Sequence, residues 1–242
     1  MSTGRTTIHR PGGTRRARAA LVAGGVLLLT LLVTLVVDRA FFANSSTPAG
    51  TGSGNAATQS RSVAPFTGVD LAGANNVVVR VGARQSVVVH ADDNLLGRVT
   101  TRVRAGTLLI DTTPGNLNAK SPMFVEVIVP SLDALTLEGA GNISASGIDN
   151  QQLTVAMPGS GTIDATGTTT KLTITMDGEG TALLRRLLAR DARASLDGTG
   201  TIMLTATRSL TATISGSGAI LYGGNPPQVS PSVTGSGTIS AG

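Results

Sequence analysis

The sequence predicts an all-β body, a parallel β-solenoid of roughly 19-residue coils, preceded by one N-terminal transmembrane helix. Three observations carry this. First, a Gly-x-Gly phrase followed by two residues, the second usually Ile, is written six times between residues 139 and 239. Its glycine pairs are Gly139 and Gly141, Gly159 and Gly161, Gly178 and Gly180, Gly198 and Gly200, Gly216 and Gly218, and Gly235 and Gly237, so the copies step by 20, 19, 20, 18 and 19 residues. Second, runs such as Leu135-Thr136-Leu137, Leu153-Thr154-Val155 and Leu172-Thr173-Ile174-Thr175-Met176 precede the phrases. Apolar–Thr–apolar alternation is the period-2 signature of a half-buried strand. Third, Ala19 to Val37 is an uncharged, Leu- and Val-rich run of nineteen residues, the length that crosses the hydrocarbon core of a bilayer.

One coil cannot bury its apolar face alone; it does so by stacking on the next. Coils lie roughly 4.8 Å apart, so six make a rod of about 29 Å. The glycines are expected where each turn needs a positive φ or a close backbone approach. A leucine-rich repeat has a similar period but needs a Leu-x-x-Leu-x-Leu frame, which this sequence lacks.

Residues 1–18 hold five arginines and no acid, while the chain from Arg39 onward has 14 basic against 13 acidic residues. The net charge of +5 therefore resides in an N-terminal tail. With no basic face and few aromatics, the body does not read as a nucleic-acid binder. The apolar run defines a transmembrane span over 19–38, and the arginines before it keep the tail (1–18) in the cytoplasm. A cleaved signal peptide is the competing reading, but its apolar region is shorter and ends in small residues, whereas this run ends in Asp38-Arg39-Ala40-Phe41-Phe42. Either reading puts the body outside the cytoplasm. Residues 39–62, rich in Gly, Ser, Thr and Pro, are expected to be a flexible linker.

The body spans 63–242. Val-rich runs at Asn76–Val81 and Ser86–His90 read as a hairpin or as adjacent solenoid edges, and Val99–Arg104 with Thr107–Asp111 as two strands about a turn. With Met123–Val129 they are expected to cap the N-terminal end of the stack, whose strand edges would otherwise stay open. Ala182–Arg193 has helix-like spacing and high helix propensity. We read it as strand, because the flanking phrases keep a step of 20 through it.

The chain has no Cys, which excludes a disulfide framework, a thiolate metal site and a Cys nucleophile. His9 lies in the tail and His90 at a strand end, and neither has a catalytic setting. The many Ser and Thr residues recur with the repeat and are explained by turn and ladder hydrogen bonds. One column remains: the residue before each phrase reads Glu138, Pro158, Asp177, Asp197, Ser215, Thr234. On adjacent coils Asp177 and Asp197, with Glu179 close by, could share a Ca²⁺ ion. The plainer reading, which we favour, has each Asp accepting backbone N–H bonds at its own turn beside Arg185, Arg186 or Arg193. No cofactor and no catalytic residue are expected.

The order Phe66-Thr67-Gly68-Val69, the Val-rich strands, Ala91-Asp92-Asp93-Asn94-Leu95-Leu96, Gly106-Thr107-Leu108-Leu109-Ile110 and Val127-Ile128-Val129-Pro130-Ser131-Leu132, leading into the Gly-x-Gly series, resembles the head-GIN domain family of bacterial auto-transporter adhesin heads. The resemblance covers residues 63–242. It implies a right-handed β-solenoid-like stack and an adhesin-like role, although the anchor read here is an N-terminal helix and not a β-barrel translocator.

The sequence thus reads as a single-pass cell-membrane protein whose body binds or builds structure without catalysis of its own. Its expected partners are the bilayer, a cell-wall polymer or envelope protein, and other copies of itself through the open last coil near Ser240-Ala241-Gly242. The competing class is a carbohydrate-active enzyme with an acid and a base in a solenoid groove. Glycan platforms favour aromatics, and beyond the membrane-proximal pair only Phe66, Phe124 and Tyr222 are present.

Overall fold

Alternation of apolar with Thr, Ser and Asn residues makes strands almost everywhere in residues 50–242, which the computed structural model describes. The expected tail (1–18), span (19–38) and start of the linker lie outside the described residues. Among the described residues no helix is long and apolar enough to cross a membrane. Ten short strands come first: β1 (Gly50–Thr51), β2 (Ala56–Ser60), β3 (Gly68–Leu71), β4 (Asn76–Val81), β5 (Ser86–Asp92), β6 (Val99–Arg104), β7 (Thr107–Thr112), β8 (Leu117–Asn118), β9 (Phe124–Val129) and β10 (Ala134–Leu137). Four long strands follow, β11 (Asn142–Met157), β12 (Thr162–Met176), β13 (Thr181–Leu196) and β14 (Thr201–Gly216), then β15 (Ala219–Gly223), β16 (Gln228–Gly235) and β17 (Thr238–Ala241).

Each long strand bends once, and its two halves stack, parallel, on the matching halves of the next. This produces two ladders. One runs β9, β4, the first halves of β11 to β14, β15 and β17. The other runs β7, β3, β10, the second halves of β11 to β14, and β16. The Gly-x-Gly turns carry the chain from the second ladder to the first, along what we call the glycine edge. The bends inside the long strands return it along the far edge. The six phrases enclose five turns of this parallel β-solenoid. Between the ladders lie stacked columns: Ile143, Ile163, Ala182, Ile202 and Ile220 on one, Leu153, Leu172, Ala192 and Leu210 on the other, nearly all inaccessible. Pro48–Gly242 is one compact unit with this core as its own, and each large aliphatic side chain buried there contributes about 1.5–3 kcal/mol.

The N-terminal end is capped, as expected, but with a different pairing. Strands β4 and β5 do not form a hairpin and are not neighbours; β9 lies between them, parallel to β4 and antiparallel to β5. Likewise β6 and β7 form the expected antiparallel pair beneath β3. Antiparallel strands thus end both ladders. Residues 50–62 correct the linker expectation. Strand β2 pairs antiparallel with β5, and β1 pairs with β8. The side chains of β2 are almost all exposed, so backbone bonds hold this strand and no apolar alternation announces it.

The glycine edge settles which property of glycine the phrase uses, and it corrects half of the expectation. Of the twelve repeat glycines only Gly235 has a positive φ; Gly139, Gly141, Gly159, Gly161, Gly178, Gly180, Gly198, Gly200, Gly216, Gly218 and Gly237 do not. The requirement is close approach. For the first glycine of a phrase the obstacle is backbone: a Cβ on Gly139 or Gly159 would stand 2.1 Å from a carbonyl oxygen of the coil beneath, and one on Gly178 would stand 2.1 Å from the Gly159 oxygen. The second glycine meets backbone and core together. A Cβ on Gly161 would stand 1.8 Å from the Gly141 oxygen. On Gly180, Gly200, Gly218 and Gly237 it would stand 2.7, 2.6, 2.4 and 2.8 Å from the oxygen of the second glycine one coil below. At the same four positions it would also strike an inward side chain, Met157, Met176, Leu196 and Ile214 respectively, at 2.3–2.9 Å. Beneath Gly139 and Gly141 lie the carbonyls of Gly73 and Asn75, so Gly73-Ala74-Asn75-Asn76-Val77 is a seventh turn of the series with Asn in place of the second Gly. Asn75 is buried and donates from Nδ2 to Thr112 Oγ1 at 2.6 Å.

Residues 182–193 are strand. Their inward residues are Ala182, Leu184, Leu187, Ala189 and Ala192, while Leu183 and Leu188 face out. The outward leucines, with one slip at Arg185–Arg186, produce the helix-like spacing.

Candidate functional site

The far edge is where coils differ. Two glycines with positive φ, Gly147 (76°) and Gly167 (136°), turn β11 and β12 off the first ladder. Ile148 and Leu187 then point inward and seal the core beneath the bend. On β11 and β12 the residues that follow are polar, and Asp149, Gln151, Gln152 and Thr168 face out while Thr169 is buried. Thr168 Oγ1 donates to Asp149 Oδ1 at 3.1 Å and Thr170 Oγ1 to Gln151 Oε1 at 3.3 Å, each bond joining one coil to the next. Below them Ser131 Oγ donates to Asp133 Oδ1 at 3.1 Å, and Asn150 Nδ2 donates to the Leu132 carbonyl. The other amide atom, Asn150 Oδ1, is buried without a hydrogen-bond partner in the protein.

These groups line two adjoining open hollows that share Asp149, Asn150 and Gln151 and together make a groove. Its lower part, about 470 Å³, is bounded by Ser131, Asp133, Asp149, Asn150, Gln151 and Gln152. The upper part, about 430 Å³, shares Asp149, Asn150 and Gln151 and adds Thr168, Thr169, Thr170 and Arg190. Chemically it is a ladder of amides and hydroxyls with two carboxylates and one guanidinium. One coil higher the edge closes on itself: Arg208 Nε donates to Asp191 Oδ1 at 2.7 Å, its Nη2 binds Oδ2, and Ser209 Oγ donates to Oδ1. Arg208 above all, and then Ser209, hold the Asp191 carboxyl down to about 2.

Three further carboxyls stand out. Burial would push Asp92 up. Against it, Asp92 accepts from the N–H groups of Lys120 (2.8 Å), Ser121 (3.3 Å) and Gly54 (2.9 Å) and from Ser121 Oγ (2.8 Å), and these bonds hold it below the usual carboxylate range. Beside it Asp93 accepts from Ser53 Oγ, which is the main cause of its own depressed value. Together they clasp the segment of β1 and β2 onto the cap. Asp70 is the opposite case. Burial, then the charge of Glu138 on the next coil, push it up to about 6, and its Oδ1 is buried without a partner.

The residues singled out by sequence lie elsewhere. Asp177 and Asp197 are exposed neighbours on the glycine edge, one coil apart through the Met176–Leu196 register, with Glu179 beside them. The arginines weighed as their partners are otherwise placed: Arg186 binds Asp164 at 2.7 Å. Among the described residues no three metal-ligating side chains converge. His90 is half-buried, its ring stacked on Phe124 at 4.2 Å and its Nε2 3.7 Å from Glu126. The groove was missed because its residues are ordinary Ser, Thr, Asn and Gln. The available signal was their position, always just after the break in alternation between two phrases.

Residues 65–226 match the protein family described as "Putative auto-transporter adhesin, head GIN domain". Among solved structures, a "putative adhesin" from Bacteroides fragilis is similar at 23% identity and a TM-score of 0.66, over 79% of this chain and 99% of that one. A "putative lipid binding protein" from Parabacteroides distasonis is 22% identical with a TM-score of 0.49, over 79% and 98%. A "putative adhesin" from Parabacteroides merdae is 18% identical with a TM-score of 0.46, over 79% and 98%. No curated protein matches the chain.

Proposed function

The chain belongs to the head GIN domain family, and we propose on that premise that its body is an adhesin-like binding module without catalysis of its own, held to the cell membrane by the N-terminal span and working outside the cytoplasm. We take the coil to wind right-handed, as parallel strand–crossover–strand units do almost without exception. The ligand we propose is a polyhydroxylated cell-wall polymer lying along the far edge. The observation that carries this is the groove itself, where the Asp149/Thr168 and Gln151/Thr170 pairs lie side by side across the step from β11 to β12 and Asp133 and Arg190 add polar groups from the coils below and above. Hydrogen-bonding groups spaced by roughly 4.8 Å along a rigid rod suit a polymer with periodic hydroxyls. No aromatic residue lines the groove, so each unit would bind weakly and strength would come from many contacts along one chain.

The test is co-sedimentation of the 48–242 unit with walls of its own organism, with released sugar assayed in the supernatant. Saturable binding that falls when Gln151 and Thr170 are both changed to Ala supports the reading. Released oligosaccharide would establish the competing enzyme class, with Asp133 and Asp149 as the acid and base to test. Binding indifferent to the double variant would move the site off the groove.

Self-association through the last coil is a second proposal. Val233 there is 45% exposed, and the outer edges of β16 and β17 pair with no strand among the described residues. The bonds Asp177 N–H to Met157 O and Asp197 N–H to Met176 O fix the parity of the second ladder. By that parity the nitrogen of Pro231 faces outward, and proline there removes a donor from the β16 edge. Pairing between copies would therefore run through β17, and monomers alone in light scattering at high concentration would refute it.

A further inference from the structure

The coil containing β13 is the widest of its neighbourhood. It takes a step of 20 residues between steps of 19 and 18. The register shows where the excess goes. On β14, Leu204 lies opposite Leu184 and the next residue, Thr205, lies opposite Leu188, so residues 185–187 have no counterpart above. On β12, Asp164 lies opposite Leu183 and Gly167 opposite Leu187, one residue fewer than on β13. Leu187 is buried, so the excess emerges as the exposed pair Arg185–Arg186, a bulge in β13, with Arg186 reaching down to Asp164 and the Arg185 guanidinium lying near the terminal Gly242.

The chemistry of this corner is unlike the rest of the far edge. Equivalent outward positions on β11 and β12 hold Ser, Thr, Asp and Gln. Here a leucine stands on each flank: Leu183 and Leu188 are 36% and 50% exposed, two of the three exposed large hydrophobics among the described residues. Arg185 makes no ion pair among the described residues, Arg186 is held by Asp164, and Arg190 follows beside an Asp191 already bound by Arg208. Above Leu183 the same outward column continues as Met203 and Leu221.

We propose that this corner is a docking edge for an anionic lipid surface, with the arginines on headgroup phosphates and Leu183 and Leu188 in the boundary between headgroups and acyl chains. Basic residues flanked by protruding apolar ones are the combination that holds a peripheral element in that boundary. A soluble polyanion would satisfy the guanidinium groups and leave both leucines in water. The acidic glycine edge of a second copy would offer Asp177 and Asp197 but only polar turn residues to the leucines. The proposal rests on Arg185 and Arg186 and not on Arg190, which lines the groove; the groove's Gln151 and Thr170 lie on lower coils.

The experiment is sedimentation of the 48–242 unit with vesicles of phosphatidylcholine, with and without phosphatidylglycerol. Binding is expected only with the anionic lipid. Arg185→Gln with Arg186→Gln should weaken it about twenty-five-fold, from roughly five-fold for each basic residue at such a surface. Leu183→Ser with Leu188→Ser should weaken it as well while leaving affinity for soluble polyphosphate unchanged. Both variants are compared at unchanged melting temperature, and Gln151→Ala should bind vesicles like the parent. Absence of vesicle binding overturns the proposal. So does vesicle binding insensitive to the leucine change, which would point to a polymer site, or arginine-dependent self-association without lipid.

Discussion

Adding one methyl group at Gly161 tests the claim that the glycine edge is set by proximity and not by φ. The Cβ of Gly161→Ala would lie 1.8 Å from the Gly141 oxygen and 2.9 Å from its carbonyl carbon. Ordinary contact begins near 3.4 Å, so the oxygen distance is about 1.6 Å short, and the obstacle is backbone that cannot rotate away. Against a coil spacing of roughly 4.8 Å, relief means parting two coils by about a third of their separation. The bonds at that corner, Thr162 N–H to Gly141 O at 3.2 Å and Ser160 N–H to Gly139 O at 3.2 Å, would break. Two bonds at about 1 kcal/mol each, with loosened packing of Ile163 on Ile143, give a loss of about 3 kcal/mol. For a unit of this size that is a fall of roughly 6–12 °C in Tm. The control is Gly97→Ala, where a Cβ meets nothing within 4 Å and φ is not positive; it should be neutral or gain a few tenths of a kcal/mol. Urea and thermal unfolding of the 48–242 unit read both. A Gly161→Ala protein within about 0.5 kcal/mol of the parent, or a Gly97→Ala protein equally damaged, refutes the reasoning.

Three further outcomes are expected. The Asp92 clasp should open in acid: its folded pKa lies below the ordinary 3.8, so its contribution is complete above that value and is lost as pH falls through the depressed one. Amide exchange at Gly54 and Lys120 should rise there, and Asp92→Asn should show the same exchange at neutral pH. Asp70 works the other way. Its folded pKa is raised to about 6 from 3.8, so stability falls as pH rises across that window. Asp70→Asn should gain about 1 kcal/mol above it, discounted for partial solvation, and nothing below it, as unfolding midpoints at the two extremes will show. Calcium should leave the melting temperature unchanged, because among the described residues Asp177, Asp197 and Glu179 do not converge on one point; a saturable rise abolished by Asp177→Asn would restore the ion to that column.

What was legible in the sequence is what stacking forces to repeat. Inward Ile, Leu and Val recur because each coil buries its face on the next, and glycine recurs because two backbones meet at every turn. Both signals survive without knowledge of the partner strand. The spacing could not tell proximity from positive φ, since Gly180, Gly200, Gly218 and Gly237 read the same under either demand; only the coil beneath distinguishes them. The cap has no such redundancy. Nothing in Asn76–Val81 or Ser86–Asp92 encodes that Phe124–Val129 slides between them, since all three are Val-rich and pair equally well in either direction by pattern. The first turn stayed hidden for a related reason: Asn75 replaces glycine where the coil beneath is β7 and β9, and there its amide reaches Thr112 instead of meeting a backbone oxygen. Segment 50–60 was unreadable because Asp92 and the backbone of β5 hold it through N–H and C=O groups that any residue supplies, Gly54 N–H among them.

The glycine edge also constrains where this fold can vary. At that edge the coils approach to within the reach of a single methyl group, so insertion or a side chain there disturbs the coil beneath as well as its own. The inner columns are equally fixed, since Ile163 stacks on Ile143 and beneath Ala182. The far edge keeps such contacts only at single positions, as at Gly167, where a Cβ would stand 2.1 Å from the Ile148 oxygen, and at Gly224; all the register shifts between β11 and β14 fall there. Unequal steps of 20, 19, 20, 18 and 19 residues are therefore differences in the outline of one edge only. Where the step is short the edge recedes, as at Thr205; where it is long it projects, as at Arg185–Arg186. Grooves and ridges on this rod are set by coil length before they are set by side-chain chemistry. That is the physical reason both the groove and the arginine corner occupy the far edge.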